Sequence, residues 1–497
     1  MPEQFLHGVE VVEIDDGSRP IRTVKSSVIG LVGTAPNSAP AVTATLLTKG
    51  LIWSANTHGR AGNNISIHQK NPKSNNAQLS IFVSQVAIVI SLATNAAGDI
   101  TTTPAEIITA IKANNQASAL VSVSSNGSSI TTVQASVKIK LLSGGVDEAF
   151  PLNTPTLIAG SRVEGAKLDI VGDKQGTLPD AIDAVFDQAG AMIVVIRVAE
   201  GVDAAATMSK IIGGVSTGGA RLGVQSLLDA ESQVKVIPRI LIAPGFSHQQ
   251  AVVSEMLDIA DRLKAVIIAD GPNSTDANAI SYRENFGSKR VYIVDPQTKV
   301  WDVVSNSEMN QPASARVAGI ISKSDTERGF WWSPSNREIY GITGTARKVD
   351  FTLGDVNARA NYLNENEVTT IIQKDGYRLW GNRTCSADPK WAFINVVRTA
   401  DMIHESLLQG HMWAVDRNIT KTYVEDVVES VNDYLRHLVT VGAILGGQCW
   451  ADPDLNSPDQ ISQGKIYFDF DFTPPAPAEH IIFRSHLVND YIKDIFK

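Results

Sequence analysis

Cysteine is almost missing from this chain: Cys385 and Cys449 are the only two in 497 residues. One pair cannot build a disulfide framework, and two thiolates make no zinc site without histidine help. Assembly in a reducing compartment is the natural reading. Positive charge is also short, with 43 Lys and Arg against 52 Asp and Glu and a formal net charge of −9. A nucleic acid or an anionic membrane needs a basic surface, so neither is expected as a partner. Long apolar runs are lacking too. Segments such as VAIVISLA (86–93) reach strand length only, well short of the roughly 18 residues of a membrane span, and no membrane insertion is expected. The opening MPEQFLHGVEVVEIDDG has neither a basic n-region nor an apolar h-region, which predicts no secretory signal.

Recognisable reaction chemistry is the next absence. His404 and His411 are seven apart on a predicted helix, whereas the two ligands of HExxH sit four apart. Two partly buried histidines account for them, and no metal is expected. GITGTA (341–346) lacks both the P-loop lysine and the GxGxxG spacing, so it reads as a turn. No GxSxG elbow occurs. Trp331, Trp332 and Trp380 could stack on a ligand, although packing is the simpler use of them. Nothing local activates Cys385 in NRTCS. No catalytic residue and no cofactor are therefore assigned. Carboxylates such as those of EDVVESVND (425–433) read as the solvated side of a helix.

What is present supports a folded chain of two to four domains, with 43% hydrophobic and 19% charged residues. Residues 41–146 stand apart: Lys49, Arg60, Lys70, Lys73, Lys112, Lys138 and Lys140 oppose only Asp99 and Glu106, a net of +5 that leaves −14 for the rest. Short β-type runs (NISIHQ 64–69, QLSIFV 78–83, VAIVISLA) alternate there with polar turns. One helix is signalled from 103 by Thr103, Pro104 and Glu106, a capping box with proline at the first helical position. This is read as an inserted β-rich domain.

Residues 151–355 alternate strands and helices. AMIVVIRVA (191–199), PRILIAPG (238–245), KAVIIADGP (264–272) and VYIVDP (291–296) read as strands buried on both faces. RLGVQSLLDAES and 248–264 read as helices between them, which gives an α/β layer. Further on, Thr422 and Glu425 suggest a second capping box, ahead of an apolar stripe of Val424, Val427, Val428, Val431, Leu435 and Leu438. GKIYFDFDF (464–472) alternates as a strand. TPPAPAEH (473–480) cannot be helix or central strand, because its prolines lack donors and favour extended chain. Beyond it, HIIFRSHLV (480–488) has strand character again, with Ile481, Ile482 and Phe483 at its start. The other end mirrors this: a short run with Val9, Val11 and Ile14 precedes an Asp-Asp-Gly turn and Pro20. Both ends read as arms that pair with something else. A cytoplasmic α/β enzyme with a β-rich accessory domain is the competing reading.

Three long runs carry a resemblance. KDGYRLWGNRTCSADPKWAFINVVRTADMI (374–403), HMWAVDRNITKTYVEDVVESVNDYLRHL (411–438) and GKIYFDFDFTPPAPAEHIIFRS (464–485) resemble the core of the contractile tail sheath family of myoviruses and R-type pyocins. HGVEVVEIDDGSRPIRTVKSSVIGLVGTAP (7–36), PRILIAPGFS (238–247), SPSNREIYGITG (333–344) and FPLNTPTLI (150–158) resemble its opening and middle. Residues 39–148 depart from the shortest sheaths and resemble the extra β-domain of longer ones.

The resemblance implies an α+β and α/β multidomain fold. It implies an N-terminal arm (1–24), a first part of the inner core (25–38), the inserted β-rich outer domain (39–148) and a middle α/β domain (149–355). An inner, tube-facing C-terminal α+β domain (356–472) would follow, then the proline spacer and C-terminal arm (473–497). Both arms would donate strands to neighbours. The implied partners are further copies in stacked six-fold rings, the tail tube protein, and the baseplate and tail terminator proteins. The implied location is the virion, after assembly in the host bacterial cytoplasm. A headless contractile bacteriocin or injection particle would use the same residues. A contact that repeats without closing builds a helical polymer, and contraction needs two packings of the same subunits.

Overall fold

A computed structural model describes residues 21–127 and 131–496. Val9, Val11 and Ile14 lie outside the described residues. The chain forms two compact units. One takes residues up to 35 together with 152–165 and 173–497; the other takes 36–151 and 166–172.

The larger unit is built on a sheet of eight strands: β1 (Ile29–Thr34), β2 (Thr156–Ala159), β3 (Met192–Val198), β4 (Ile240–Ile242), β5 (Val266–Asp270), β6 (Val291–Val294), β7 (Val368–Gln373) and β8 (Tyr377–Trp380). Their order is β8-β7-β6-β5-β4-β1-β3-β2. From β3 across to β7 all neighbours run parallel, while β2 and β8 close the edges antiparallel. A parallel sheet must be covered on both faces, and β1 and β5 are buried at every residue.

Helix α1 (Leu178–Phe186) packs on β1, and α3 (Ser314–Arg328) on β4 and β5. Between them in sequence, α2 (Gln250–Leu263) packs on the other face. Its Val252, Val253, Met256 and Ile259 meet Val32, Ile196, Leu241, Ile267 and Ile293.

Several expectations need correction. The 25–38 segment, expected in the inner C-terminal core, instead supplies the strand between β3 and β4. Its Ile-Gly-Leu-Val-Gly-Thr run is apolar or small throughout, and only a two-faced sheet covers both of its sides. Ile21 and Val24, just before it, do pack with the C-terminal helices. The α/β sheet also continues past 355 to Trp380, because Val368, Ile371 and Ile372 are buried in it. The 221–232 segment is not one helix. It is a short strand (Arg221–Leu222), a 3-10 turn (Gly223–Asp229) and a brief helix (Ala230–Val234). Gly223 has φ +58°, and a Cβ there would collide with the backbone carbonyls of Lys210 and Ile211, so the chain must kink at that point.

The smaller unit holds a three-stranded antiparallel sheet (Thr43–Thr48, Leu51–His58, Val121–Ser125) and a four-stranded mixed sheet (Ser80–Ser84, Ala87–Ser91, Ser66–Lys70, Val137–Leu141). The helix Pro104–Ala113 starts with the expected box: Thr103 and Glu106 exchange hydrogen bonds. Its core contains Trp53, Ile67, Ile88, Ile90, Ile107 and Ile111. Residues 166–172 join the unit because Ala39 N donates to Lys167 O at 2.8 Å and Ile170 N to Asn37 O at 3.1 Å. Its entering and leaving strands bridge at Val42 and Val146.

A crowded point of the large sheet tests this arrangement. A Cβ on Gly30 would lie 2.9 Å from Cβ of Pro238, whose ring cannot rotate away. Gly30→Ala is expected to cost about 1–3 kcal/mol, the usual penalty of overpacking a core, read as a lower urea midpoint with an unchanged slope.

Candidate assembly surface

The C-terminal third forms a layer on the large sheet. Helix α4 (Ile394–Gly410) lies against it, and α5 (Lys421–Thr440) follows. The helix expected from Thr422 starts earlier: Thr420 is the cap, its side chain accepting from Tyr423 N at 3.2 Å. The expected Thr422–Glu425 box therefore does not form. The apolar stripe holds, with Val427, Val431, Leu435 and Leu438 buried.

The inner face of α4 carries charge. Asp401 pairs with Arg290, which precedes β6, and both side chains are almost fully buried. Arg398 clasps Asp325 of α3, with Nη1 to Oδ1 at 2.7 Å, and reaches Ser26 O at 3.2 Å. Glu405 meets Arg239, next to β4, at 3.2 Å. Burial works against the Arg290 guanidinium, yet the Asp401 and Asp261 carboxylates outweigh it and hold its pKa above the ordinary value. These residues escaped the sequence reading. The usable signal was there: Arg398, Asp401 and Glu405 fall at spacings of three and four, within the stripe of Val397 and Met402.

Two strands complete the layer, β9 (Gly446–Ala451) and β10 (Phe468–Thr473), paired antiparallel. Phe468, Phe470 and Phe472 pack with the α4–α5 core while Asp469 and Asp471 alternate to the other face. His404 of α4 meets Phe470 and Phe472 edge-on at 5.9 and 6.0 Å. Burial lowers its pKa, and Asp401 opposes that. His411 is the C-cap of α4 and pairs through Nδ1 with Leu407 O at 2.7 Å. The two histidines thus have separate packing roles. Among the described residues, no group of three or more His, Cys, Asp or Glu is arranged to hold a metal ion.

The two edges of this β-pair differ. Asn432 of α5 takes both backbone groups of Cys449, donating to its O at 3.0 Å and accepting from its N at 2.8 Å. That closes the outer edge of β9 at its middle. Antiparallel alternation then aims the N–H and C=O groups of Phe468, Phe470 and Phe472 away from β9. Among the described residues, no strand pairs with that outer edge of β10.

The proline spacer leaves β10 directly. Past it, residues 480–488 have no regular structure, against the expectation of strand character there, and all are exposed. A strand needs a partner ladder, and among the described residues no strand pairs with this segment. Ile481, Ile482 and Phe483 are 65, 70 and 92% exposed. The described structure thus places the three C-terminal arm residues together at the surface.

An α/β enzyme binds its ligand at the carboxyl ends of its parallel strands; here the carboxylates at the ends of β5 and β6 are taken up by the protein itself. Asp270 accepts from Ser247 Oγ at 2.9 Å, Ser314 Oγ at 2.6 Å and Ser314 N at 2.8 Å. Asp295 is closed by Arg347 at 2.6 Å and by Asn273 N at 2.8 Å. Burial pushes the Cys385 thiol up to about 12 and the Cys449 thiol up to about 11, so neither is an activated nucleophile. Trp332 stacks under Arg328, and Trp380 meets Phe351 edge-on.

The model of the phage tail sheath protein central domain matches residues 219–385, and that of the phage tail sheath C-terminal domain matches 386–487. The chain belongs to the contractile tail sheath family. It is a structural sheath protein and not an enzyme. A prophage major tail sheath protein of Pseudomonas aeruginosa is 47% identical over 71% of this chain and 90% of its own length. The tail sheath protein of Escherichia phage P2 is 35% identical over 70% and 88%. That of Burkholderia phage BcepMu is 30% identical over 99% and 98%, so its match takes in the smaller unit as well. Among solved structures, the helical sheath of the anti-feeding prophage in its contracted state shares the fold. Its TM-score is 0.54 and its identity 22%, over 68% of this sheath and 90% of that chain. The contracted sheath complex of the extracellular injection system PVC gives 0.52 and 17% over 69% and 89%.

The buried pair beneath α4 can be tested in the isolated subunit. Asp401→Ala leaves Arg290 without its buried partner and is expected to cost about 3–5 kcal/mol in urea unfolding. Adding Arg290→Met in the same chain should recover most of that loss.

Proposed function

We propose that this sheath protein polymerises as stacked six-fold rings around a tail tube. The rings then contract and drive the tube through the host cell envelope for genome ejection. The observation that carries this reading is an exposed apolar segment beyond a proline spacer, in a chain whose β9–β10 pair has one edge that no described strand covers. Ile481, Ile482 and Phe483 of one copy supply a strand, and the outer edge of β10 in another accepts it. Strand addition supplies backbone hydrogen bonds, with side-chain pockets setting the register. Those bonds persist while rigid bodies rotate about them, which suits a lattice with two packings. Val9, Val11 and Ile14 act in the same way from the other end.

The C-terminal layer, with α4 and α5, faces the tube. The baseplate and the tail terminator bound the polymer at its two ends. The subunits assemble in the host bacterial cytoplasm and end in the virion. Identity of 30–35% to the P2 and BcepMu sheaths favours a phage particle. Among the described residues no helix is long and apolar enough to cross a membrane. Residues 39–148 form an outer decoration that the lattice does not need.

Deleting 479–497 is expected to leave a subunit with an unchanged melting temperature that builds no long tubes in negative-stain images. Normal tubes from that truncation would overturn the coupling. The decoration has its own test. Because Ala149 N donates to Ala39 O at 3.3 Å, the two ends of 39–148 lie side by side, and a short Gly-Ser linker can replace the segment. Tubes that still form and contract are expected, and a subunit that folds but cannot polymerise would place the insert in the lattice.

A further inference from the structure

The C-terminal arm is not loose from its first residue. Arg383 grips Glu479 with two nitrogens, Nε at 3.1 Å from both carboxylate oxygens and Nη2 at 2.6 Å from Oε2. Arg383 is itself held. Its backbone bridges Phe393, the neighbouring Thr384 N donates to Ala392 O at 2.7 Å, and its guanidinium lies over the Phe393 ring at 5.4 Å. Four residues before Glu479, the carbonyl of Pro475 accepts from Asn395 Nδ2 at 3.1 Å. The same amide donates to Trp331 O at 3.0 Å. Asn395 is buried in the first turn of α4. The spacer is thus fastened at Pro475 and Glu479, and every residue described from 480 on is exposed.

We propose that Arg383 is the positioning residue of the C-terminal arm. Its bidentate clasp on Glu479 fixes where and in what direction the arm leaves the subunit, so that Ile481–Phe483 meet a second copy's β10 edge already aimed. This rests on the strand-addition reading above and adds its geometry. The side chains are 37 and 31% exposed, so a pair like this contributes little to the stability of the fold. Its worth lies in orientation, since two parallel bonds to a planar carboxylate permit one approach only. A tethered strand whose root is fixed also loses less freedom on docking than one swinging from Thr473. Flexing between neighbours then falls beyond Glu479, in 480–488, and not in the prolines.

The test compares Arg383→Gln, Glu479→Gln, the two together, and the exchange Arg383→Glu with Glu479→Arg, all in the full chain. Sedimentation and negative stain give the protein concentration at which tubes appear. Hydrogen exchange reports the amides of Ala476, Ala478 and Glu479. Each single change should raise the assembly concentration several-fold and speed exchange in the spacer, with the melting temperature of the unassembled subunit unaltered. The double should be no worse than either single, and the exchange should recover most of the loss. Single variants that assemble at or below the wild-type concentration overturn the proposal. So do variants whose melting temperature falls along with assembly, because Arg383 would then support the fold. The arm deletion separates the two levels. If it still builds tubes, strand addition itself has failed; if it does not, while both Gln variants assemble normally, only the clasp is wrong.

Discussion

Everything in the C-terminal third hangs on the ion pairs under α4. Arg398, Asp401 and Glu405 reach three different parts of the α/β unit: α3, the start of β6 and the start of β4. Desolvating such charges offsets much of their attraction, and an apolar seam of the same shape could be as stable. What an apolar seam cannot do is refuse to slide. A helix one turn out of register would leave three buried charges unmatched, at several kcal/mol each. The pairs therefore lock α4 to the sheet in one position. The β9–β10 pair, packed on the α4–α5 core through three phenylalanines, inherits that position.

This gives a continuous rigid route from sheet to arm. The α/β unit holds α4, the first turn of α4 holds the spacer through Asn395, and the strand beside that spacer carries the open edge. Force applied to the arm reaches the sheet through side chains with little room to relax. On the contraction proposed above, loose packing here would absorb the stroke inside the subunit.

Much of the fold was legible because its cause is local. A strand buried on both faces reads as a near-continuous apolar run, and β3, β5 and β6 announce themselves that way. Thr103, Pro104 and Glu106 mark a helix start that depends on nothing distant. Misreadings came where the cause is remote. The run at Ile29–Thr34 looks like any short apolar strand, and only its pairing with β3 and β4, some 160 and 210 residues away in sequence, puts it in mid-sheet. Gly223 breaks a helix because another backbone segment occupies the space of a Cβ. Thr420 and Thr422 are both fair caps, and packing decided between them. Ile481–Phe483 have strand residues without a strand, since among the described residues no strand offers them a ladder. The charges of α4 were visible in the sequence, but their partners were not.

The two buried thiols have a practical consequence. With pKa values pushed up to about 12 and about 11, Cys385 and Cys449 stay protonated and covered near neutral pH, so maleimide-type reagents will pass them by. A cysteine introduced on the exposed 480–488 segment would then be the one fast-reacting thiol, with no need to strip out the native pair. Dyes or spin labels placed there would report distances between neighbouring copies in the otherwise natural sequence.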